Sequence, residues 1–339
     1  MAVGIVDGDE HYGFNYGLAS TEQGKPVTNE TLFELSSVSK TLTATLTSYA
    51  QVCGNLSLAD PTSRFLPSLQ KSPFGNVTLL NLGTHTPGGL PLQVPNNISN
   101  IEQLMQYFKA WQPTYAPGTY RTYANPGIGT LGLITAKNMG QNFDGLMEGL
   151  LFPALGMKST YIKVPAAKLP DYAQGYTRDG APVRLAWGVL SSEAYGIKTT
   201  AADMNRFVEA NMNLIRVDEK LQRAIVNTHT GYFKAGPTTQ DLIWEQYPYS
   251  VTPKTLLDGN SSAMIFNATP VAKMAPAPAR STRRCLDQQN WLDEWLWRVR
   301  CIHSAEAVGI VILANRSFPI DERVTAAHRI LTSLDNGAP

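Results

Sequence analysis

The pattern of hydrophobic and polar positions predicts strands near both ends of this chain and helices between them. Residues 1–20 predict a short β-hairpin, and the apolar stretch VGIVILAN, residues 308–315, predicts a buried strand. Between about residues 55 and 175 the pattern gives helical segments broken by turns such as TPGGLP and APGTY. Elsewhere, apolar residues that recur every three or four positions predict helices over residues 37–54, 200–215 and 321–334.

Two of these helices carry specific local predictions. Gly54 is predicted to end the first helix. Its inward face is predicted to comprise Val38, Leu42, Leu46, Tyr49 and Cys53. In the last helix Asp321 is the predicted N-cap residue. The inward residues there are Val324, Ala327 and Leu331.

Strands at both ends of the chain, around a helical middle, predict an α/β protein with two domains. The sheet domain is expected to be discontinuous and to comprise residues 1–52 and 180–339. An all-helical domain, residues 53–179, is inserted between these parts. We expect the active site to lie between the two domains.

Composition excludes several function classes. The chain has 339 residues, is 43% hydrophobic and carries a net charge of +1, so charge gives no reason to expect nucleic acid or an acidic membrane as a partner. Its apolar runs are too short for a transmembrane helix, and its first residues predict a strand rather than a signal peptide. Three scattered cysteines and five histidines show neither a disulfide framework nor metal-ligand spacing.

Ser37 and Lys40 form the first candidate catalytic element. They lie three residues apart at the start of a predicted helix, so they share one face of it. A serine hydroxyl needs a neighbouring base to become a nucleophile, and a buried lysine can take that role because burial favours its neutral form. The pattern alone is also compatible with ordinary surface polarity, since Ser68 and Lys71 repeat it in a loop flanked by proline.

The second candidate element is Tyr123-Ala124-Asn125, which precedes Pro126 and an apolar helix. A tyrosine can share the role of base, and an asparagine side chain can donate a hydrogen bond to a substrate carbonyl. The alternative for this element is an ordinary turn, because Asn-Pro is a common way to open one.

Taken together, Ser-x-x-Lys followed by Tyr-x-Asn resembles the serine β-lactamase and penicillin-binding protein superfamily. The tyrosine in the second motif is typical of class C β-lactamases. The likeness extends over nearly the whole chain. It includes HYGFNYGLAS, TLFELSSVSKTLTATL, GGLPLQVP, YRTYANPGIGTLG, FPALGMKSTYI, EAYGIKT and GIVILANRSFPIDERV.

The resemblance implies a fold, a reaction and a set of roles. The fold is an antiparallel sheet flanked by N- and C-terminal helices, with the helical domain inserted. Ser37 would be acylated by a β-lactam, and Lys40 with Tyr123 would form the base system. Gln93 and Asn125 would hold the acyl amide side chain of the substrate, and Tyr195 would line the pocket. Ser36 stands where the family has glycine.

The resemblance also implies how the protein works in its surroundings. It implies a monomer in the periplasm that needs neither a metal nor an organic cofactor. Two alternatives stay open. One is an esterase or D-Ala-D-Ala peptidase of the same superfamily. The other is a non-catalytic penicilloyl-binding protein.

The third motif of the superfamily, usually Lys-Thr-Gly, is missing from this sequence. His229-Thr230-Gly231 is a candidate substitute, but its surroundings resemble an earlier loop of the family. Counted back from VGIVILAN, the family's spacing places the motif at Gln289-Asn290-Trp291. A missing oxyanion donor typically costs roughly 100- to 1000-fold in rate, so we expect impaired activity.

We interpret residues 288–304 as the third motif read in a shifted frame. The tryptophan codon read one base later always gives glycine, and suitable codons for the segment give NKTGSTNGFGAYVAFIP. The forced glycines fall at Trp291, Trp295 and Trp297, where the family has glycine. The hypothesis places the slip between about residues 280 and 285, with compensation near residue 304. The alternative is a genuine amphipathic helix in which Leu292, Trp295, Leu296 and Val299 pack inward.

Overall fold

The computed structural model describes residues 1–248, 251–277, 285–288, 297–303 and 307–335. The strands are β1 (Ala2–Asp7), β2 (Glu10–Asn15), β3 (Leu18–Ser20), β4 (Lys25–Pro26), β5 (Phe33–Glu34), β6 (Tyr120–Arg121), β7 (Gly175–Tyr176), β8 (Pro182–Val183), β9 (Lys198–Thr199), β10 (Gly231–Ala235), β11 (Thr238–Gln240), β12 (Glu245–Pro248), β13 (Thr269–Ala277), β14 (Cys285–Gln288), β15 (Trp297–His303) and β16 (Val308–Ala314). The helices are α1 (Ser39–Val52), α2 (Leu79–Gly83), α3 (Ile101–Ala110), α4 (Asn125–Asn138), α5 (Phe143–Leu146), α6 (Phe152–Ala154), α7 (Ser191–Tyr195), α8 (Ala201–Asn211), α9 (Glu219–Thr228), α10 (Pro253–Gly259), α11 (Ser262–Phe266) and α12 (Ile320–Asp335).

One large sheet joins the two ends of the chain. Within the described residues its order is β2-β1-β16-β15-β14-β12-β11-β10-β13-β6, and the neighbouring strands are antiparallel. The predicted hairpin is the β1–β2 pair, and the predicted strand near the end of the chain is β16, which lies between β1 and β15. The regular elements in the middle of the chain are mainly helices, as its broken apolar pattern predicts. Residues 53–179 also contain two short strands, β6 and β7, which the prediction of an all-helical domain did not include, and β6 joins the large sheet.

Each face of this sheet packs against different helices. Alternation along β1 turns Val3 and Ile5 toward α12, whereas Ala2 and Val6 share a core cluster with α8. Close packing of α8 depends on a glycine in β16, because a Cβ on Gly309 would lie 2.3 Å from a methyl carbon of Val208. No helix in the described part of the chain is long and apolar enough to cross a membrane.

Helix α1 is buried along most of its length rather than on one face. Val38, Leu42 and Leu46 are buried as predicted, but Cys53 is exposed, so that part of the predicted inward face is wrong. Thr41, Thr43 and Thr45 are buried too, and their hydroxyls donate to backbone carbonyls. Such bonds allow a helix rich in threonine to lie in the interior.

The prediction that Asp321 caps α12 is wrong, because Asp321 is the second residue of this helix. Helix α12 begins at Ile320, so Asp321 lies in its first turn, where a carboxylate is favourable next to the helix N-terminus. The inward residues predicted for this helix are buried: Val324, Ala327 and Leu331.

Candidate active site

Ser37 and Lys40 lie side by side beneath the surface. Ser37 sits in a 3₁₀ turn, Ser36–Val38, that leads directly into α1, and Lys40 lies in the first turn of that helix. The Nζ of Lys40 is 2.7 Å from the Oγ of Ser37 and also donates to the carbonyl of Ala194, at 2.9 Å. Lys40 is fully buried and Ser37 nearly so. The i, i+3 spacing therefore places a nitrogen base within proton-transfer distance of a hydroxyl.

The second Ser-x-x-Lys match has a different setting. Ser68 and Lys71 are both exposed, and they lie around the short 3₁₀ turn Pro67–Leu69. This pair provides a matched control for experiments on Ser37 and Lys40.

Tyr123 lies beside Lys40. It follows β6, which pairs with β13, and it is almost completely buried. The Nζ of Lys40 lies 5.2 Å from the centre of the Tyr123 ring. The structure therefore brings together the three residues that the resemblance assigns to the reaction, Ser37, Lys40 and Tyr123.

The side chains of Gln93 and Asn125 are hydrogen-bonded to each other. The Nδ2 of Asn125 donates to the Oε1 of Gln93 at 2.8 Å, and the backbone N–H of Asn125 donates to the carbonyl of Leu92. Gln93 comes from a loop far away in sequence, and Asn125 begins α4. An amide pair of this kind presents both donors and acceptors, which suits an amide group in a ligand.

Tyr195 and Gln93 line the same open cleft, which has a volume of about 700 Å³. Trp187 lines it too and is 58% exposed, so it offers an aromatic face to a ligand. The hydroxyl of Tyr195 accepts a hydrogen bond from Ser191 at 3.0 Å within α7. Because Ala194 of the same helix accepts from Lys40, α7 connects the cleft wall to the Ser37–Lys40 pair.

A buried ionic network, which the sequence pattern did not reveal, supports the Tyr123 segment. Arg121 is 2% exposed, and its guanidinium donates to Gln240, to the carbonyl of Met264 and to Glu245. Burial raises the pKa of Glu245, and the charge of Arg121 acts against that rise. A possible signal was the alternation in YRTY, which places Arg121 on the same side of an extended segment as Tyr123.

The network also reaches the strand that precedes the missing third motif. In the backbone register, Gln288 at the end of β14 stands opposite Glu245 in β12. The predicted motif position, Gln289-Asn290-Trp291, lies outside the described residues. Gln288, the residue before this position, is therefore the backbone partner of the glutamate in the Arg121–Glu245 ion pair.

His229-Thr230-Gly231 lies in a different environment. The Nε2 of His229 is 2.8 Å from the Oδ1 of Asn211 in α8, and its ring packs 4.8 Å from that of Trp244. His229 is 5% exposed, so its imidazole faces the interior. These contacts do not favour His229 as a binder of a substrate carboxylate.

Comparison with known proteins identifies the family of this chain. A family model described as Beta-lactamase matches residues 1–334. The chain belongs to the beta-lactamase family. A beta-lactamase from Lysobacter lactamgenus is 48% identical over 332 residues, which is 98% of this chain and 86% of the relative. One from Pseudomonas fluorescens is 43% identical and covers 99% of this chain and 93% of the relative.

Solved structures place the chain with the class C beta-lactamases. A class C beta-lactamase in complex with cefoxitin superposes with a TM-score of 0.94 at 44% identity, covering 98% of this chain and 92% of the other. A D-alanine carboxypeptidase AmpC from Burkholderia cenocepacia superposes with a TM-score of 0.93 at 54% identity, covering 98% and 93%. The predicted fold class and the resemblance to class C beta-lactamases are thereby confirmed.

Ser36, at a position where the resemblance implies glycine, has an unusual backbone angle. Ser36 has φ = 44°, in the left-handed region that glycine adopts freely. For a residue with a Cβ this region costs roughly 1–2 kcal/mol. Ser36 therefore keeps the backbone shape that suits glycine.

Replacing Ser36 by glycine is expected to stabilise this beta-lactamase homologue. The relieved strain exceeds the extra chain entropy of glycine, so we expect the free energy of unfolding to rise by about 0.5–1 kcal/mol. Urea denaturation followed by circular dichroism measures it. Ser68→Gly is the control, because Ser68 is exposed and its φ is not positive. This substitution should not stabilise the protein. A Ser36→Gly protein less stable than the parent would contradict this explanation.

Glu193 gives the fold a pH dependence. Its side chain packs against Gly132 of α4, and burial raises its pKa to about 7, with a smaller contribution from Asp144. The pKa of Glu193 in the folded protein thus exceeds the ordinary value of 4.5, so folding favours the protonated carboxyl. This contribution to stability is fully present below pH 4.5 and is lost as the pH rises through about 7.

Glu193→Gln is expected to remove this dependence. Between pH 5 and pH 8 the stability of the variant relative to the parent should rise by roughly 2 kcal/mol, because only the parent must ionise a buried carboxyl. Urea denaturation of both proteins at the two pH values measures the difference. A difference that stays constant with pH would exclude Glu193 as the source.

Proposed function

We propose that this protein opens β-lactam rings through an acyl-enzyme formed on Ser37. The observation that carries the proposal is the 2.7 Å contact between Lys40 Nζ and Ser37 Oγ in the interior, with Tyr123 beside Lys40. Class C relatives of known structure, one of them bound to cefoxitin, supply the substrate class.

Acylation needs one proton to leave the hydroxyl of Ser37 and one proton to reach the leaving nitrogen. In acylation, Ser37 Oγ bonds to the β-lactam carbonyl carbon while its proton passes to the Lys40–Tyr123 pair. The ring C–N bond then breaks, and Tyr123 returns the proton to the leaving nitrogen. In deacylation, a water molecule attacks the ester, releases the ring-opened acid and restores the Ser37 hydroxyl. The heavy-atom distance between Lys40 and Ser37 suits proton transfer in either direction.

Substrate orientation is assigned to the cleft beside this group. The bonded Gln93–Asn125 amides are proposed to hold the acyl amide side chain of the substrate, and Tyr195 to form the cleft wall. Backbone N–H groups at the start of α1 are oriented to stabilise negative charge developing near Ser37.

Activity of this particular sequence is proposed to be impaired. The position of Lys-Thr-Gly holds Gln289-Asn290-Trp291, so the lysine for the substrate carboxylate and the glycine near the oxyanion are both absent. The described strand β15 begins at Trp297, one of the three positions where the shifted frame gives glycine. A bulky residue in a strand that must approach a ligand closely interferes with binding. Val299 lies in this strand too, so the alternative of a helix is wrong at that residue.

The wider setting is also part of the proposal. We place this protein in the periplasm as a monomer with two domains, 1–52 with 180–339 and 53–179. The domain division follows the change from sheet to helix along the chain. Two of the core clusters, however, each draw on residues from both domains, so the two parts are expected to unfold together.

A peptidase is the second candidate function. One solved relative is described as a D-alanine carboxypeptidase, at 54% identity, and another as a beta-lactamase/D-alanine carboxypeptidase, at 46% identity. Both reactions use an acyl-serine, so the Ser37–Lys40–Tyr123 group fits either of them. The choice depends on whether the leaving group is a ring nitrogen or a terminal D-alanine.

Parallel turnover assays test the proposed function. The purified chain is given nitrocefin, a p-nitrophenyl ester and a peptide ending in D-Ala-D-Ala, beside Ser37→Ala and Ser68→Ala. We expect slow nitrocefin hydrolysis, well below the roughly 10 s⁻¹ typical of enzymes, that only Ser37→Ala abolishes. Faster release of D-alanine than of opened nitrocefin would favour the peptidase. Nitrocefin hydrolysis that persists in Ser37→Ala would contradict the proposal.

A further inference from the structure

His85 is a buried histidine that touches the segment around Tyr123 at three points. It lies in the turn after α2 and is 1% exposed. Its backbone carbonyl accepts from the N–H of Thr122 at 2.8 Å, and its ring Nδ1 accepts from the N–H of Ala124 at 3.3 Å. Its ring also packs against the ring of Tyr123, with centroids 4.1 Å apart at an interplanar angle of 50°.

These contacts lie on both sides of Tyr123 along the backbone. In an extended segment the N–H groups of alternate residues point the same way, and Ala124 is extended, with φ = −148° and ψ = 121°. Both N–H groups, at Thr122 and Ala124, meet the same histidine. Because the peptide units on each side are held, the direction of the Tyr123 Cα–Cβ bond is fixed relative to Lys40.

The ring of His85 must be neutral to make its contact with Ala124. A ring nitrogen that accepts a hydrogen bond carries no proton, so the proton lies on Nε2. Burial lowers the pKa of His85 well below its usual value, and the charges of Arg121 and Lys40 lower it further. Arg121 lies in β6 and Lys40 lies in α1. The carboxylate of Glu245 in β12 accepts a hydrogen bond from Arg121 and balances its charge.

The backbone of His85 is itself unusual. Its φ is 57°, in the left-handed region, where histidine, asparagine and aspartate are more frequent than other residues with a Cβ. This conformation directs the carbonyl of His85 toward Thr122 and its ring toward Ala124 and Tyr123. Uncommon backbone conformations of this kind are concentrated at functional sites.

We propose that His85 is a positioning residue that holds Tyr123 against Lys40 through hydrogen bonds to the amides on either side of it. The proposal rests on the proposed function, in which Tyr123 carries a proton during acylation of Ser37. His85 does not touch the substrate. It acts by fixing the geometry of a residue that does, and a misplacement of about 1 Å at such a group is enough to slow a reaction about 100-fold.

Two amide variants isolate the hydrogen bond from the ring. In His85→Asn the side-chain oxygen occupies the place of Nδ1, so it still accepts from Ala124. In His85→Gln the oxygen occupies the place of Nε2, one bond further out, so this bond is lost. Both variants lose the aromatic contact with Tyr123. If His85→Gln does not fold, as judged by circular dichroism, His85→Phe serves as the variant that lacks the acceptor.

Acylation of Ser37 by a fluorescent penicillin provides the functional readout. We expect His85→Gln to slow acylation about 10- to 100-fold and His85→Asn by less than about 3-fold. In a Tyr123→Phe background, His85→Gln should have less than about a 2-fold further effect, because its influence passes through the phenol. Equal slowing by both amides, or an undiminished effect in the Tyr123→Phe background, would overturn the proposal.

Amide hydrogen exchange tests the contacts without any reaction. Peptides that span residues 119–126 should exchange about 10-fold faster in His85→Gln than in the parent, and at the parent rate in His85→Asn. Unchanged exchange in His85→Gln would overturn the proposal whether or not Ser37 is acylated. A parent protein that shows no acylation contradicts the proposed function instead, and exchange then decides the role of His85 alone.

Discussion

Replacing residues 288–304 by NKTGSTNGFGAYVAFIP is expected to raise nitrocefin turnover by about 100- to 1000-fold. The replacement restores a lysine for the substrate carboxylate and a glycine whose neighbouring N–H completes the oxyanion site. It also removes Trp291, Trp295 and Trp297, which occupy sequence positions where the family has glycine. The gain is expected mainly in kcat/KM, since both substrate binding and transition-state stabilisation depend on this strand.

Two controls make that comparison decisive. The same replacement with Ser37→Ala must be inactive, which links the gained activity to the proposed nucleophile. A single substitution in the parent sequence, such as Trp297→Gly, should recover little nitrocefin turnover, because the lysine at residue 289 would still be missing. If the full replacement folds and leaves turnover at the parent rate, the interpretation of residues 288–304 as a frame-shifted third motif is wrong.

The origin of the segment is decided by nucleic acid and peptides from the native source. The shifted-frame hypothesis expects the nucleotide sequence across residues 275–308 to encode the glycine-rich strand in a second frame. Tryptic peptides that contain the printed residues 288–304 would show that the cell makes this sequence, and the impairment would then belong to the natural protein.

Replacing Lys40 by methionine is expected to slow acylation of Ser37 by about 100- to 10,000-fold, the usual contribution of a positioned general base. Methionine fills similar space, but it can neither take the hydroxyl proton of Ser37 nor donate to the carbonyl of Ala194. The time course of adduct formation with a fluorescent penicillin measures the effect.

Lys71→Met is the matched control for this experiment. It removes the lysine of the second Ser-x-x-Lys match, which is exposed, and acylation should proceed at the parent rate. A Lys40→Met protein that remains folded and is acylated as fast as the parent would show that Lys40 is not the base.

The sequence alone predicted the parts of the site that depend on local spacing. Ser37 and Lys40 lie three residues apart, and in the structure they meet because one turn of chain brings such residues together. The strand β16 was predictable for a similar reason, since seven consecutive buried residues require an apolar run. The predicted start of α12, at residue 321, differs from the observed start at Ile320 by one residue, because the apolar face of a helix does not determine where its backbone begins.

Contacts between distant segments were not predictable. His85 contacts Tyr123 and Arg121 contacts Glu245 across elements whose mutual orientation depends on the whole fold. The alternation in YRTY indicates the side on which Arg121 lies, but not its partner. The exposure of Cys53 has a similar cause, since it depends on where α1 leaves the interior rather than on the spacing along the helix. Local sequence therefore indicated the candidate reacting groups, whereas the residues that hold them in place required the structure.

Mass spectrometry of the chain after incubation with benzylpenicillin tests the central claim most directly. The account predicts one adduct with the mass of one intact penicillin, located by peptide mapping on Ser37. The adduct should be absent from Ser37→Ala and present in Ser68→Ala. The reaction is stopped with acid while benzylpenicillin is still in excess, so that deacylation does not empty Ser37. An adduct on another residue, or a parent that forms no adduct and does not hydrolyse the penicillin either, would contradict the assignment of Ser37 as the nucleophile of a class C beta-lactamase.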